Sequence, residues 1–344
     1  MDSSAGGRGD SSSMPDGGPG NGGGGGDAGS QPDAPSRADA GGDARDLGGD
    51  TSSDASREVL PAPNCAACTG WGTPVAEGPS PAALVELSGL AASRLHPGIL
   101  YAHNDSGDSA RFFAINAQAQ VTAEIHLNGV TAVDWEDISV GPCPSGSCIY
   151  IGDTGDNKLD RDDYVIYRIA EPPTLPSNGS VISVSFEAIP YAFPGAAHYN
   201  VESLLVHPTT GQLFVITKDS GIPASVYELP LPLRADAGTA TMTLVATLAL
   251  SPLEGAVTDG AFHPCGDRIL IRTTGATGLF ELSRTAGQSL STLFSATPVR
   301  VPVANEPQGE AVTYTVDGSH YVTASETVSD SAVPAISIVS CTTN

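Results

Sequence analysis

The hydrophobic and polar positions of this chain repeat five times between residues 86 and 341. Each repeat opens with a short apolar strand that carries acidic or hydroxyl residues. It continues with a β-branched and aromatic strand that ends in a polar cluster. The opening segments are 86–90, 134–138, 200–204, 257–261 and 308–312, and the second strands are 99–105, 148–153, 213–218, 268–273 and 320–326. Repeats of this length predict a β-propeller, in which each repeat forms one radial sheet.

Further strands follow within each repeat. A third apolar strand is predicted at 112–115, 165–169, 225–229, 278–282 and 335–339. The first four repeats continue into a more polar fourth strand, of which 121–125 and 181–186 are examples. No window keeps a helical apolar period over three turns, so the chain is predicted to be all-β. We expect five blades, and the long interval between the second and third openers leaves room for a sixth.

The fifth repeat ends at Cys341, before a fourth strand can form. An unpaired sheet edge promotes association with other chains, and propellers leave only short, protected edges. We therefore expect residues 73–85 to pair beside the third strand of the last blade, Ala335–Val339, so that the two ends of the chain close the ring.

The first 60 residues differ in composition from the rest. They are almost entirely Gly, Asp, Ser, Ala and Pro, which predicts a disordered tether, and residues 61–344 are then the propeller domain. No apolar run is long enough to span a bilayer. Together with the six cysteines, the tether predicts that the protein is exported and monomeric. Its expected location is extracellular, at the cell surface or in the periplasm. We expect its signal or lipid-anchor segment to be absent from this chain or to lie upstream of residue 1.

The formal net charge is −24, and Lys158 and Lys218 are the only lysines. A surface that neutralises a nucleic-acid backbone is therefore excluded. An acidic surface suits cations, or a neutral or cationic small-molecule, peptide or glycan ligand.

The six cysteines form an even set, which favours structural disulfides in an exported protein. Cys143 and Cys148 flank a tight turn that a local disulfide fits. Cys65 and Cys68 are also close enough for a local bridge. Their spacing occurs in zinc sites too, but the chain has no second pair at matching spacing. Free buried thiols are the remaining alternative.

Aligning the openers places one side chain per blade at the same structural position, the same end of each inner strand. These residues are Ser88, Glu136, Glu202, Asp259 and Glu310, and two residues earlier stand Glu86, Asp134, Asn200, Val257 and Gln308. Residues two apart in a strand share a face, so both sets point towards one mouth of the channel. The ends of the second strands add His103, Asn104, Asp105, Asp153, Lys218, Arg272, Ser325 and Glu326.

Crowded carboxylates repel one another unless a cation, protons or donors compensate them. Hard oxygen ligands without convergent histidine or thiolate favour Ca²⁺. The predicted metal ligands are Asp134, Glu136, Asp153, Glu202, Asp259 and Glu310. The acidic loops at Asp105 and Asp153 do not have the spacing of a calcium-binding helix–loop–helix, and turn-forming side chains explain them equally well.

Two alternatives to a cation-binding protein remain open. In the first, the protein is a metal-dependent hydrolase that acts on esters or phosphoesters. Its general base is then Glu136, Glu202 or Glu310, and Lys218 or Arg272 stabilises developing negative charge. In the second, the propeller face binds a peptide or glycan and the acids only add solubility. The chain has neither a Gly-x-Ser-x-Gly nucleophile motif nor a phosphate-binding loop. His96, His207 and His263 each precede a proline, which indicates a role in turns.

Several segments resemble a group of secreted bacterial β-propeller proteins, with phytase-like and esterase-like groups as neighbours. They are 87–90, 102–109, 133–138, 152–157, 201–205 and 308–311. The resemblance spans residues 84–341 and implies the propeller fold. Phytase-type propellers bind several Ca²⁺ ions through carboxylates at the channel mouth and hold phosphate with lysines and arginines. Here only Lys218 and Arg272 are basic candidates at that mouth, which argues against a phosphate ester as substrate.

Overall fold

The computed structural model describes residues 68–218, 221–328 and 333–343, so the predicted tether 1–60 lies outside the described residues. Nearly all regular structure within them is β-strand, arranged in five sheets. The innermost strands of neighbouring sheets contact one another around a complete ring. The prediction of a five-bladed β-propeller is confirmed, and the described residues form no sixth sheet.

The strands follow one another blade by blade. Two short strands come first, β1 (Gly70–Trp71) and β2 (Val75–Pro79). The first blade consists of β3 (Leu87–Ala92), β4 (Leu100–Asn104), β5 (Arg111–Ile115) and β6 (Val121–His126). The second consists of β7 (Trp135–Cys143), β8 (Gly146–Asp153) and β9 (Val165–Ala170), followed by β10 (Ser180–Ser183) and β11 (Glu187–Ala192).

The later blades have the same order. A 3₁₀ helix, Pro194–Ala196, precedes β12 (Val201–Val206), β13 (Leu213–Thr217), β14 (Ser225–Leu229), β15 (Ala240–Thr241) and β16 (Thr243–Thr247). A second 3₁₀ helix, Pro252–Glu254, precedes β17 (Val257–Phe262), β18 (Arg268–Thr273), β19 (Leu279–Ser283), helix α1 (Leu290–Phe294) and β20 (Val299–Arg300). The last blade contains β21 (Gly309–Tyr314), β22 (His320–Ser325) and β23 (Ala335–Thr342). No helix of the described chain is long and apolar enough to cross a membrane.

The hydrophobic core lies between the blades. The buried apolar residues of the described chain form five clusters, and each cluster joins the facing sides of two adjacent sheets. Between the first and second blades, for example, Tyr101 and Phe112 pack in one cluster with Trp135 and Ile149. Each strand alternates its side chains between two such clusters, which explains why nearly every position of the inner strands is apolar or buried.

The extra residues between the second and third openers connect blades instead of forming a sixth one. The predicted fourth strand of the second blade, 181–186, is wrong: β10 leaves that blade and pairs in parallel with β6 of the first blade. The fourth strand of the second blade is β11, which pairs with β9. In the same way β15, from the third blade, pairs in parallel with β11. Two sheets thus gain a fifth strand from the following repeat.

The two ends of the described chain close the ring, as predicted. β2 pairs antiparallel with β23 as the outer strand of the last blade, with Val75 opposite Ile338 and Pro79 opposite Ala335. β1 extends this pairing, because Trp71 lies opposite Cys341. The last blade therefore combines N-terminal and C-terminal segments.

Disulfides reinforce this arrangement. Cys143 and Cys148 form the predicted local bridge across the β7–β8 turn. Cys68 is bonded to Cys341, 273 residues away, and so joins the two ends of the ring. A local Cys65–Cys68 bridge is therefore excluded, as is metal binding by Cys68. Cys265 is also in a disulfide.

The histidines that precede prolines have the predicted role in turns. Nδ1 of His207 accepts from the backbone N–H of Thr210 at 3.3 Å, and Nδ1 of His263 accepts from that of Cys265 at 3.2 Å. The rings also reach the next blade: a Cβ added to Gly266 would lie 2.7 Å from Nε2 of His207. Because Gly266 has a positive φ of 73°, the position suits glycine for two reasons.

Candidate functional site

Each inner strand carries a bulge at its second position, near the end where the strand begins. The register shifts across Ser88, Glu136, Glu202, Thr258 and Glu310. A bulge leaves one residue outside the ladder and redirects its side chain. We call this end of the propeller the acidic mouth and define it by Asp105, Asp134, Glu136, Glu202, Lys218, Glu310 and Glu326.

The fourth blade departs from the sequence alignment by one residue. Thr258, and not Asp259, occupies the position of Glu136, because the register shift in β17 falls between Val257 and Asp259. The Thr258 hydroxyl donates to the carbonyl of Gly309 in the next blade at 3.0 Å. The prediction that Asp259 lines the mouth is therefore wrong.

A second set of equivalent residues follows the second strand of each blade. Their backbone N–H groups donate to the carbonyl that precedes the inner strand of the same blade. The residues are Asp105, Thr154, Lys218, Thr274 and Glu326. The fourth blade supplies only Ala256, Thr258 and Thr274 at these positions, so the acidic mouth is one-sided, with its charges on the other four blades.

Three carboxylates of the acidic mouth converge. Asp105, Asp134 and Glu136 each place an oxygen within 4.8 Å of the others. Because Ca²⁺ ligands lie about 2.3–2.6 Å from the ion, oxygens this far apart can share one ion. Burial raises the pKa of Asp134 to about 6, and the negative charge of Asp105 is the next largest contribution to this rise. Burial and then Glu202 raise the pKa of Glu136, whose side chain is almost completely buried.

The loop after β8 packs against this cluster. A Cβ added to Gly155 would lie 2.1 Å from Oε1 of Glu136 and 2.4 Å from Oδ2 of Asp134. The backbone N–H of Gly155 donates to the carbonyl of Asp134 at 3.1 Å, which fixes the loop. Only glycine allows the backbone to approach the two carboxylates so closely.

Glu202 lies beside the three carboxylates, and its negative charge is compensated by a lysine and an amide donor. Nζ of Lys218 is 2.8 Å from its Oε2, and the side-chain amide of Asn200 donates to its Oε1 at 2.9 Å. Burial raises the pKa of Glu202 and Lys218 opposes this effect. The negative charge of Glu202 in turn raises the pKa of Glu136.

Glu310 and Glu326 complete the acidic mouth from the fifth blade. Burial raises the pKa of Glu310 to about 8, because the charge of Lys218 only partly offsets the desolvation and the repulsion from Glu202. Burial and then Asp105 raise the pKa of Glu326 as well. At neutral pH the Glu310 carboxyl is therefore mostly protonated.

The structure gives Asp153 a structural role instead of a place among the ligands. Its carboxylate accepts from the backbone N–H groups of Val133 and Asp134 at 3.1 and 3.0 Å, and from the guanidinium of Arg161 at 2.9 Å. With these three donors the side chain is almost completely buried. Asp153 holds the backbone of Asp134 in place, so the prediction that it ligates a metal is not supported by its contacts.

Arg272 is also absent from the open part of the mouth. Its guanidinium is fully buried and donates to the carbonyls of Thr273 and Gly278 at 3.0 and 2.8 Å, and to Glu306 at 3.1 Å. Burial lowers the pKa of Arg272. The predicted role of Arg272 in stabilising substrate charge is therefore contradicted by its position, and Lys218 is the cation that reaches the acidic mouth.

A second acidic layer, which the sequence alignment missed, lies one residue deeper. Asp137 accepts from the backbone N–H of Leu204 at 2.6 Å, and Asp259 accepts from that of Val312 at 2.6 Å, so each acid joins its blade to the next. Burial raises the pKa of both carboxyl groups, and the neighbouring Asp137 raises that of Asp259 further. The remaining oxygens accept from the backbone N–H groups of Ile138 and Gly260.

The structure also brings His263, Cys265 and Asp267 together. The Cys265 sulfur is in a disulfide and so provides no thiolate for a metal. This group carries no metal site.

Asp105 is the member of the converging set that the predicted ligand list omits. It lies at the end of a second strand, and its loop has the composition of an ordinary turn. The signal that identifies it is the equivalence with Lys218 and Glu326, which follow the second strands of the third and fifth blades.

Comparison with known proteins finds similar solved structures only at low sequence identity. No protein-family model matches this chain, and no curated protein shows a significant sequence match. A luciferin-regenerating enzyme is 11% identical, with a TM-score of 0.44, and the alignment covers 78% of this chain and 95% of that one. A gluconolactonase from Xanthomonas campestris is 11% identical, with a TM-score of 0.42 and coverage of 78% and 89%. The WD40 repeats of RRP9 are 10% identical, with a TM-score of 0.38 and coverage of 74% and 67%.

Proposed function

We propose that this propeller binds Ca²⁺ or another hard divalent cation at its acidic mouth. Asp105, Asp134 and Glu136 are the ligands, and the charge of Glu202 acts on Asp134 and Glu136 from beside them. The observation that carries the proposal is the approach of the first three carboxylate oxygens to within 4.8 Å of one another. A donor set made only of carboxylate oxygens suits Ca²⁺ better than a softer metal.

The charges around the acidic mouth support a cation as the missing partner. Lys218 is already paired with Glu202. Arg161 is paired with Asp153 at 2.9 Å and with Asp163 at 2.9 Å. Among the described residues, no salt bridge reaches Asp105, Asp134 or Glu136. Without a cation, burial and the neighbouring negative charges raise the pKa of Asp134 and Glu136 and so favour their protonated forms.

Calorimetric titration of CaCl₂ into chelator-treated protein tests the proposal. We expect saturable binding and a rise in melting temperature, and we expect both to be lost in Asp134→Asn and Glu136→Gln. Glu77→Gln is the matched control, because Glu77 is exposed on the outer strand β2. Absence of heat and of a thermal shift in the parent protein would overturn the proposal.

A hydrolase is the second candidate, and the protonation of Glu310 favours it. A carboxyl with a pKa of about 8 is protonated at neutral pH and suits a general acid. Glu202, which Lys218 and Asn200 hold in place, suits a general base. A bound cation supplies Lewis acidity, which polarises the carbonyl or phosphoryl oxygen of a substrate. The fourth blade adds no charged side chain at these positions, so we place the substrate on that side of the mouth.

Assay of a panel of carboxylate and phosphate esters, with and without chelator, tests this candidate. We expect turnover that depends on the cation and is abolished by Glu202→Gln, while the melting temperature and Ca²⁺ binding remain measurable. Turnover at the parental rate in Glu202→Gln would contradict it, and so would a parent protein without activity on the panel.

We place the protein outside the cytoplasm, as the resemblance to secreted propellers implies. The Cys68–Cys341 and Cys143–Cys148 bridges support this location, because disulfides of this kind persist in oxidising compartments. Protease treatment of intact cells of the source organism tests the location. Loss of the protein is expected at the cell surface, whereas protection before and after permeabilisation of the outer layer would contradict export.

A further inference from the structure

The end of the propeller opposite the acidic mouth contains a cavity of about 330 Å³. The last residues of the inner strands line it, so it lies on the axis of the propeller. Its apolar walls include Ala92, Val140, Val206, Phe262 and Tyr314. Ligand-binding pockets are typically of at least this size, mostly apolar, with a few polar groups that orient the ligand.

Arg94 is the cationic group of this cavity, and its position is fixed from two neighbouring blades. Oε1 of Glu171, in the second blade, accepts from the backbone N–H groups of Arg94 and Leu95 at 3.1 and 3.2 Å. The guanidinium donates to the carbonyl of Pro208, in the third blade, at 3.0 Å. Arg94 thus extends from the first blade to the third, and its charge is held beside the cavity before any ligand binds.

Arg94 forms no salt bridge within the described part of the chain. The nearby acid is Glu171, whose charge acts on Arg94 but whose carboxylate contacts the Arg94 backbone and not its guanidinium. Asp317, which also lines the cavity, is exposed and already accepts from the hydroxyl groups of Thr315 and Ser319 at 2.7 and 2.8 Å. The partly buried guanidinium therefore offers donors for which a carboxylate is the complementary group.

We propose that this cavity binds a small monocarboxylic acid with an apolar body, whose carboxylate lies on Arg94 and whose body fills the space between the inner strands. The volume of about 330 Å³ is at the lower end of the range for pockets that hold small organic ligands, which indicates a ligand of modest size. A medium-chain fatty acid meets these requirements of size, charge and polarity. The site is separate from the acidic mouth and does not depend on cation binding there.

Octanoate is the probe, and octan-1-ol is its uncharged match. Both are titrated calorimetrically into the full chain in the presence of chelator, so that the acidic mouth takes no part. We expect octanoate to bind at one site per chain and octan-1-ol to bind at least tenfold more weakly, since it lacks the charged group. Arg94→Gln is expected to weaken octanoate binding at least tenfold and to leave octan-1-ol binding unchanged.

Two further variants separate this site from non-specific binding. Ala92→Phe fills the cavity and is expected to abolish octanoate binding, whereas Ala92→Ser keeps its volume and should bind as the parent does. Arg234→Gln removes an exposed arginine elsewhere and should also bind as the parent does. Equal octanoate binding by Arg94→Gln and parent, or by Ala92→Phe and parent, overturns the proposal, as does a parent protein without saturable binding. Melting curves confirm that each variant is folded.

Discussion

Nζ of Lys218 lies 2.8 Å from Oε2 of Glu202. Among the described residues, this is the only salt bridge that a lysine forms at the acidic mouth. The ammonium group occupies a carboxylate that would otherwise be available to a cation. Its positive charge would repel a cation held by the neighbouring acids at the proposed site. We therefore expect Lys218 to stabilise the cation-free protein and to lower its affinity for a cation.

Replacing Lys218 by methionine tests this relationship. We expect Lys218→Met to tighten Ca²⁺ binding about tenfold, because Glu202 becomes free and the repulsion is removed. We also expect the melting temperature in chelator to fall, because buried acids lose their compensating charge. Calorimetry and thermal melting measure the two effects.

Lys158→Met is the matched control, because Lys158 is exposed and its charge is screened by solvent. Its Ca²⁺ affinity should remain within about twofold of the parent value. Weaker Ca²⁺ binding in Lys218→Met would show that Lys218 supports the cation site instead of competing with it.

Gly155 and Gly275 provide a matched pair for testing the geometry of the acidic mouth. Each follows a threonine, Thr154 or Thr274, at equivalent positions of the second and fourth blades. Gly155→Ala would place a methyl group 2.1 Å from Oε1 of Glu136 and should weaken Ca²⁺ binding at least tenfold by displacing that ligand. At Gly275 the nearest atom would be 3.5 Å away, so Gly275→Ala should bind Ca²⁺ as the parent does. Equal affinities in the two variants would contradict the placement of the ligands.

The sequence predicted the fold well because its signals are local. Strand alternation, turn residues and the period of the repeats each depend on neighbouring positions. Ring closure by β2 was also predictable, because the last repeat lacks one strand. The parallel pairing of β10 with β6 was not, because the destination of that strand depends on contacts between different blades.

The acidic mouth was predictable in its chemistry but not in every member. Glu136, Glu202 and Glu310 were aligned correctly, since their strands share the same bulge. Asp259 was misplaced by one residue because a bulge has no distinct sequence signal, and a one-residue shift redirects a side chain. Arg272 was assigned to the mouth incorrectly because its acidic partner, Glu306, lies in a loop outside the repeated strands. The repeat pattern does not predict this contact.

The stability of the cation-free protein should decrease as the pH rises from about 6.5 to 8. The pKa of Glu310 is raised to about 8, so in this range the unfolded state binds fewer protons than the folded state at this site. Folding stability falls wherever the folded state holds more protons and the pH increases. We therefore expect the melting temperature in chelator to fall between these pH values.

Two controls identify the source of this pH dependence. Glu310→Gln should reduce the slope, since the substituted amide does not titrate. Saturating Ca²⁺ should reduce it as well, because the ion replaces protons among the acids. Below about pH 6.5 the opposite trend is expected from His207, whose pKa burial lowers to about 4, so that stability is lost as the unfolded histidine takes up a proton. A melting temperature in chelator that rises from pH 6.5 to 8 would contradict the assignment to Glu310.

The disulfide that joins the two ends should contribute far more to stability than the local one. Cys68 and Cys341 are 273 residues apart, whereas Cys143 and Cys148 are separated by 5. In the loop-closure model, a cross-link restricts the unfolded chain more when the loop is longer, and the difference between these loops is about 3 kcal/mol. Cys68→Ser with Cys341→Ser removes one bridge without leaving a free thiol in that pair, and Cys143→Ser with Cys148→Ser removes the other. Urea unfolding should show a larger loss of free energy of unfolding for the first double variant, which also frees the edge of the last blade at β23 and so should aggregate more readily. Equal losses in the two double variants would show that the pairing of β1 and β2 with β23 closes the ring without help from the bridge.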